Sequence, residues 1–251
     1  MDFCSIMPKG AYALMYKNSA RVMLLTHLVE KDNEYVALAK SSTTYKILDN
    51  SLIEIGSALS LDRLMDAAAK VKADEIILPD VFKDGEATVG SVKASIKELK
   101  EKHYLGKYKL MAVCHGKTEE EFRKCFVALN EMPEIDVIGI PKVMCSFNWV
   151  KNTRASLYPI FKDTKKEIHF LGVWNNLSEI IDLPKEVYNK VRSVDTCLFA
   201  LDIIQNKKFE ENRNGTIHLD KEYPELTEEK YDKLMSEFEK KVVANQLKIM
   251  Y

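Results

Sequence analysis

The chain has 251 residues, an apolar fraction of 46%, a charged fraction of 30% and a formal net charge of −1. This is the composition of a globular protein long enough to bury a large core, and it excludes disordered and collagen-like chains. No apolar run approaches the ~20 residues of a membrane helix, and residues 1–10 lack the basic and apolar regions of a secretion signal. The five cysteines are scattered without a C-x-x-C pair, which favours reduced thiols in a cytoplasm over disulfides or a zinc ribbon.

Short apolar runs alternate with longer amphipathic stretches along the chain. Seven runs rich in Ile, Leu and Val predict strands at Val22–Val29, Tyr45–Asp49, Glu75–Asp80, Lys109–His115, Asp136–Pro141, Ile168–Val173 and Val191–Asp195. Because polar and apolar residues alternate little within them, these runs indicate parallel strands that are buried on both faces. Ala11–Tyr16 is the candidate for an eighth strand.

The stretches between the strands have helical periodicity. Helices are predicted at Leu61–Val71, Gly85–Lys102, Thr118–Met132, Cys197–Phe209 and Thr227–Met250. Repeated strand–helix units in a chain of this length predict an α/β fold, a single-domain (β/α)8 TIM-type barrel over residues 1–251. Its core spans about residues 20–210, and residues 211–251 form a C-terminal segment that ends in a helix. An open doubly wound sheet is the alternative, weakened by the lack of a G-x-G-x-x-G turn.

Several predicted strands end in polar residues. Asp49, Asp80 and Asp195 end three of them, and His115 ends a fourth. In a parallel barrel all carboxyl ends of the strands meet at one face, which predicts a shared pocket of carboxylates suited to acid–base and nucleophilic chemistry. Each Asp alone is equally well explained as the N-cap of the next helix. Packing within the barrel is an equally good explanation for glycines at strand ends. Four histidines are interpreted as structural or surface residues: His27, His103, His169 and His218.

Six short segments between about Lys46 and Leu198 carry a recognisable pattern. They are Leu48–Gly56, Leu78–Phe82, Ala112–Gly116, Val137–Pro141, His169–Val173 and Ser193–Cys197. Their order and spacing resemble the tRNA-guanine transglycosylase superfamily, the queuine and archaeosine tRNA-ribosyltransferases. The resemblance is strongest to the short phage-type branch that places 7-deazaguanines in DNA.

The resemblance implies a pentosyltransferase that exchanges guanine in a nucleic acid for a 7-deazaguanine such as preQ0, with no cofactor and no metal. Asp195 is then the nucleophile that forms a covalent bond to the sugar, and Asp49 is the acid–base residue. Asp80 reads the edge of the base. The other residues that the matching motifs assign to substrate binding are His115, Gly116, Gly139, Ile140, Pro141, Asn50 and Gly172.

The chain also departs from the family pattern. His115 stands where the tRNA enzymes have Gln, which puts base selectivity in question, and Leu52 or Ile53 replaces an aromatic pocket wall. No cysteine follows Cys197, so the zinc site of the tRNA enzymes is missing. This departure favours DNA over tRNA as the polymer.

Residues 142–213 hold 12 Lys and Arg against 9 Asp and Glu, a weak indication of a basic face. The cations considered for binding nucleic-acid phosphates are Lys142, Lys151, Arg154, Arg192, Lys207 and Lys208. A surface role without phosphate is the alternative for each. Exchange on tRNA, a barrel enzyme that acts on a small metabolite and an inactive binding module stay open as other functions. A helper protein and assembly into a homodimer stay open, and no membrane partner is expected. The expected location is the cytoplasm, which is that of the host if a phage carries the gene.

Overall fold

The computed structural model of the protein describes residues 1–17 and 19–248. Eight parallel strands form one sheet in the order β1-β8-β7-β6-β5-β4-β3-β2. Their bounds are β1 Asp2–Ser5, β2 Arg21–Leu25, β3 Tyr45–Asp49, β4 Glu75–Ile77, β5 Lys109–Val113, β6 Val137–Pro141, β7 Glu167–Leu171 and β8 Val191–Thr196. This order is that of a nearly closed TIM-type barrel, so the predicted fold class is confirmed.

Helices alternate with the strands. They are α1 Thr26–Lys31, α2 Asn33–Ser41, α3 Leu52–Ile55, α4 Leu61–Val71, α5 Gly85–Glu101, α6 Glu119–Glu131, α7 Tyr158–Phe161, α8 Ser178–Ile181, α9 Lys185–Lys190, α10 Leu198–Gln205 and α11 Glu228–Lys248. Short 3₁₀ helices cover Tyr12–Tyr16, Lys142–Ser146 and Arg154–Leu157. At the start of α6 the Thr118 hydroxyl accepts a hydrogen bond from the Glu121 N–H and so caps the helix. None of the described helices combines the length and apolarity that a membrane crossing requires.

The prediction of the first strand was wrong. Ala11–Tyr16 is largely a 3₁₀ helix, and the barrel begins with β1, ahead of the predicted start of the core at about residue 20. Four residues with a single large hydrophobic side chain give no apolar run, so the sequence pattern could not mark this strand. Pairing with β8 buries Cys4 opposite Asp195. β1 lies beside β2 without ladder hydrogen bonds between their described residues, and an Arg21–Asp2 ion pair joins the two strands.

One predicted strand is divided in the structure. The run Val22–Val29 is divided between β2 and α1, because Thr26 turns back to donate a hydrogen bond to the carbonyl of Asp49. The last helix agrees with the prediction up to Lys248, and residues 249 and 250 lie outside the described residues. α11 packs on α10 and α8, with the Phe238 ring against the rings of Phe3 and Phe199.

The interior of the barrel contains a charged cluster near the amino-terminal ends of the strands. Arg192 on β8 reaches across to Glu75 on β4 and also binds Glu167 at the start of β7. The Tyr45 hydroxyl donates to Glu75 at 2.8 Å. Because these residues lie at or next to the first residue of their strands, the cluster closes the amino-terminal end of the barrel. A functional site is therefore expected at the opposite end of the barrel, where the carboxyl ends of the strands lie.

Candidate functional site

The carboxyl ends of the strands bring the predicted polar residues together at one mouth. Asp49 is the last residue of β3, Asp80 follows β4, His115 follows β5 and Asp195 lies near the end of β8. These residues are up to 146 positions apart in the sequence, and parallel strand order alone places them at the same rim. Asp80, His115 and Asp195 are buried, and Asp49 is half-buried.

Asp80 forms a tight cluster with two neighbours. Its Oδ2 lies 2.6 Å from Nε2 of His115, and its Oδ1 accepts a hydrogen bond of 2.6 Å from Nδ2 of Asn50. Asn50 is itself fixed, because its amide also donates to the carbonyl of Leu78. Nδ1 of His115 is buried and has no partner among the described residues. A carboxylate offers about four acceptor positions, so Asp80 can still receive donors from a ligand.

Asp49 has an environment that favours the protonated form. Burial and the nearby charges of Glu54, Asp195 and Asp80 raise the pKa of Asp49 well above its ordinary value, although the Ser51 N–H donates to Oδ2 at 2.7 Å. Ser51 adopts a left-handed φ of 60° at this turn. Lost hydration within the mouth, together with the charge of Asp195, also raises the pKa of Glu54 at the rim. Asp49 is therefore suited to act as a general acid.

Asp195 is held on one side only. Its Oδ1 accepts a hydrogen bond of 3.0 Å from the Gly172 N–H and lies 3.0 Å from Nε2 of His169. The other ring nitrogen of His169 lies 2.8 Å from the hydroxyl of Ser193. The sequence pattern alone indicates only a structural or surface role for His169. The available signal was a histidine between the apolar Ile168 and Phe170, two residues before β7 ends.

The ends of β6 and β7 are joined by a buried cluster that we call the Arg154 cluster: Arg154, Glu179 and Lys142. The Arg154 guanidinium donates to the carbonyls of Ile140, Leu171 and Gly172 and forms two hydrogen bonds with Glu179. Lys142 lies 2.8 Å from Glu179. Although burial acts in the opposite direction, the two cations hold the pKa of Glu179 at about 2. The cluster fixes the backbone around Gly172.

Several predicted cations are unavailable to phosphates. Arg154 is fully buried in its cluster, and Arg192 lies at the opposite end of the barrel, so both expectations are wrong on structural grounds. Lys142 is paired with Glu179 and largely buried. Lys151 and Lys208 are exposed, and Lys207 is half-exposed just after α10. Of the six, Lys151 lies in a loop at the mouth without such a pair.

The glycine positions have packing explanations. A Cβ at Gly139 would lie 2.3 Å from Cδ1 of Leu171, and one at Gly116 would lie 2.3 Å from the backbone nitrogen of Phe122. Ile140 and Pro141 are buried as well. Only Gly172, through its N–H, touches a predicted catalytic side chain. Among the described residues no group of three His, Cys, Asp or Glu side chains is arranged to hold a metal ion.

Comparisons with known proteins address the fold. No family model matches the chain, and no curated protein matches it. Among solved structures, the chain is similar to the YdjI aldolase from Escherichia coli K12, with a TM-score of 0.53 and 9% sequence identity over 98% of this chain and 88% of that chain. At this level of identity the likeness concerns the backbone alone. The chain therefore has a fold shared with (β/α)8-barrel proteins, and its chemistry must be inferred from its own site.

Proposed function

We propose that the protein is a base-exchange transglycosylase that replaces guanine in a nucleic acid, with DNA favoured, by a 7-deazaguanine. The observation that carries this proposal is the contrast between two carboxyls at the barrel mouth. Burial and the nearby carboxylates raise the pKa of Asp49 well above its ordinary value, whereas Asp195 has two hydrogen-bond contacts on a single oxygen. One carboxyl that can donate a proton, next to a second that can attack the sugar, is the pair that cleaves and re-forms a glycosidic bond.

The first half-reaction removes guanine. The target nucleotide leaves the base stack, at a cost of a few kcal/mol, so that its sugar can reach the mouth. An oxygen of Asp195 forms a bond to C1′ while the bond from C1′ to the base nitrogen breaks. The electron pair of the broken bond goes to guanine, and Asp49 donates its proton to the departing base.

The second half-reaction runs in reverse with a new base. The ring nitrogen of the 7-deazaguanine attacks C1′ as Asp49 takes its proton, and the carboxylate of Asp195 leaves. The Asp80–His115–Asn50 cluster faces the bases in both steps. Asp80 accepts hydrogen bonds from the N–H groups of the purine edge, and the unpartnered Nδ1 of His115 supplies a further polar atom next to it. Because His115 stands where the tRNA enzymes have glutamine, the identity of the incoming base is itself part of the proposal.

One side of the mouth has features that suit a polynucleotide. The loops after β4, β5 and β6 carry an aromatic–lysine patch, which we define as Phe82, Lys83, Lys117, Phe147 and Lys151. The ammonium of Lys83 lies 5.1 Å from the ring centre of Phe82 and 5.5 Å from that of Phe147. Phe82 is 42% exposed, and its ring lies edge to face with the His115 ring, with 6.3 Å between the two ring centres. Exposed aromatic faces next to lysines bind unstacked bases and phosphates.

The test is transfer of labelled guanine into double-stranded DNA and, separately, into bulk tRNA. The variants are Asp195→Ala and, as the matched control, Asp66→Ala, which changes an exposed residue of α4. We expect label in DNA with wild type and the control, and none with Asp195→Ala. A denaturation-resistant adduct with the polymer should accompany exchange and disappear with the same variant.

Other outcomes identify the alternatives. Label that enters tRNA alone assigns the protein to tRNA exchange. Full activity of Asp195→Ala contradicts the nucleophile. Absence of label from both polymers, together with no retention of the protein on immobilised nucleic acid at low salt, contradicts the proposed function and favours an enzyme for a small metabolite.

A further inference from the structure

We propose that His169 is a positioning residue which, together with the Gly172 N–H, holds Oδ1 of Asp195 so that Oδ2 is the oxygen that attacks the sugar. This inference rests on the proposed function, because it assigns a role within the attack step. It goes further in naming the attacking atom and the side chain that selects it.

The contacts of Asp195 are asymmetric. Oδ1 receives the Gly172 N–H and the Nε2 edge of His169, each at 3.0 Å. Among the described residues no donor engages Oδ2, and the side chain of Asp195 retains 11% of its exposure. A carboxylate with one occupied and one free oxygen cannot rotate without losing both hydrogen bonds. The free oxygen is therefore presented in a fixed direction.

The protonation of His169 follows from its surroundings. The imidazole is completely buried, and burial lowers its pKa even though Asp195 acts in the opposite direction. The other charged groups that face it are Arg192, which also lowers the pKa, and Glu75, which raises it. The ring is therefore neutral at pH 7, with one N–H. Since an ionised carboxylate only accepts, the hydrogen-bond network assigns that N–H to Nε2, and Nδ1 accepts from the Ser193 hydroxyl.

A neutral donor suits this role better than a cation. An imidazolium beside Asp195 would form a full ion pair and reduce the nucleophilicity of the carboxylate. A neutral N–H fixes the direction of the group and leaves its negative charge available to the sugar. The second donor is fixed independently, because Arg154 binds the carbonyls of Leu171 and Gly172 on either side of the Gly172 N–H. A misplacement of the attacking group by about 1 Å costs about 100-fold in rate.

The test compares His169→Leu with His169→Gln. Glutamine carries an amide N–H that can reach the position of Nε2, whereas leucine fills the space without a donor. We expect His169→Leu to lower kcat about 100-fold with KM for the polymer unchanged, and His169→Gln to restore kcat to within about 10-fold of wild type. His218→Gln, at an exposed position, is the matched control, and thermal unfolding is measured for each variant.

A second measurement needs no substrate. The ¹⁵N resonances of the His169 ring at pH 7 should show a protonated Nε2 and an unprotonated Nδ1, and Asp195→Ala should shift the Nε2 resonance. A protonated Nδ1 or a doubly protonated ring would overturn the inference. So would an active wild type with an equally active, folded His169→Leu. A wild-type protein that exchanges no base overturns the proposed function, and the attack step assigned to Oδ2 falls with it.

Discussion

The Arg154 cluster gives the sharpest prediction of stability. Glu179→Gln keeps the volume of the side chain and removes its charge, which leaves the fully buried guanidinium of Arg154 without a counter-ion. Removing one partner of a buried ion pair costs about 3–5 kcal/mol. The pKa of Glu179 gives an independent value, because a decrease from 4.5 to about 2 corresponds to roughly 3 kcal/mol. We therefore expect Glu179→Gln to lower the free energy of unfolding by about 3 kcal/mol at pH 7.

The sign of the pH dependence follows from the direction of the shift. A carboxyl whose pKa is lower in the folded state stabilises the fold above its unfolded pKa and loses that contribution as the pH falls toward the folded value. The difference between wild type and Glu179→Gln should thus be complete above about pH 5, decrease below pH 4.5 and be nearly absent at about pH 2. Arg154→Met should cost more, because the carbonyls of Ile140, Leu171 and Gly172 also lose their donors, at about 1–3 kcal/mol each.

The assay is urea unfolding of wild type, Glu179→Gln and the control Glu131→Gln, which changes an exposed residue at the end of α6. The control should stay within about 0.5 kcal/mol of wild type at every pH. A loss below about 1 kcal/mol at pH 7, or a loss of the same size at pH 7 and pH 3, would refute the view that a buried ion pair joins β6 to β7. Exchange activity measured well below the unfolding temperature should also decrease, because the cluster holds Gly172 against Asp195.

Three further predictions test other parts of the barrel. Asp49→Asn should abolish exchange. Because the pKa of Asp49 is raised in the folded state, wild type should lose stability as the pH rises, by about 1.4 kcal/mol per unit of pKa difference, and the variant should not. Identical pH–stability curves for the two proteins would contradict this. Gly116→Ala places a Cβ 2.3 Å from the Phe122 backbone nitrogen and should cost about 1–3 kcal/mol or more by urea unfolding, whereas a neutral effect would show that the start of α6 can move. Arg192→Met leaves the buried Glu75 without its cation and should lower the free energy of unfolding by about 3–5 kcal/mol. The salt dependence of nucleic-acid binding should stay unchanged, and a shallower dependence in the variant would show that Arg192 contacts phosphates.

The order of strands and helices along the chain determined the fold and which residues lie at the mouth of the barrel. Runs of Ile, Leu and Val at regular intervals need cover on both faces, and parallel strands with intervening helices supply it. Once the strands are parallel, the residues that end them share one rim whatever their separation in sequence. For this reason the sequence alone is enough to group Asp49, Asp80, His115 and Asp195 at one rim. The Asp80–His115 contact of 2.6 Å is the direct result.

Tertiary structure alone decided which of the other polar residues belong to the site. A lysine or arginine has the same appearance in the sequence whether its head is in water or in an ion pair. Arg154 is buried because strand-end carbonyls and Glu179 converge on it, and Arg192 points into the barrel because Glu75 lies opposite. The partners come from distant segments, so no local pattern reveals them.

The first strand and His169 show the same limit at the level of secondary structure. β1 is a strand because β8 offers it a free edge, and its four residues have too few apolar side chains to mark it alone. His169 lies beside Asp195 and Ser193 through the register of β7 against β8, which includes an irregularity at Ile168 and His169. The sequence by itself determined the periodic burial that makes a barrel and the rim where its polar ends meet. The tertiary structure decided which charges are neutralised, because neutralisation depends on distances between segments that are far apart in the chain.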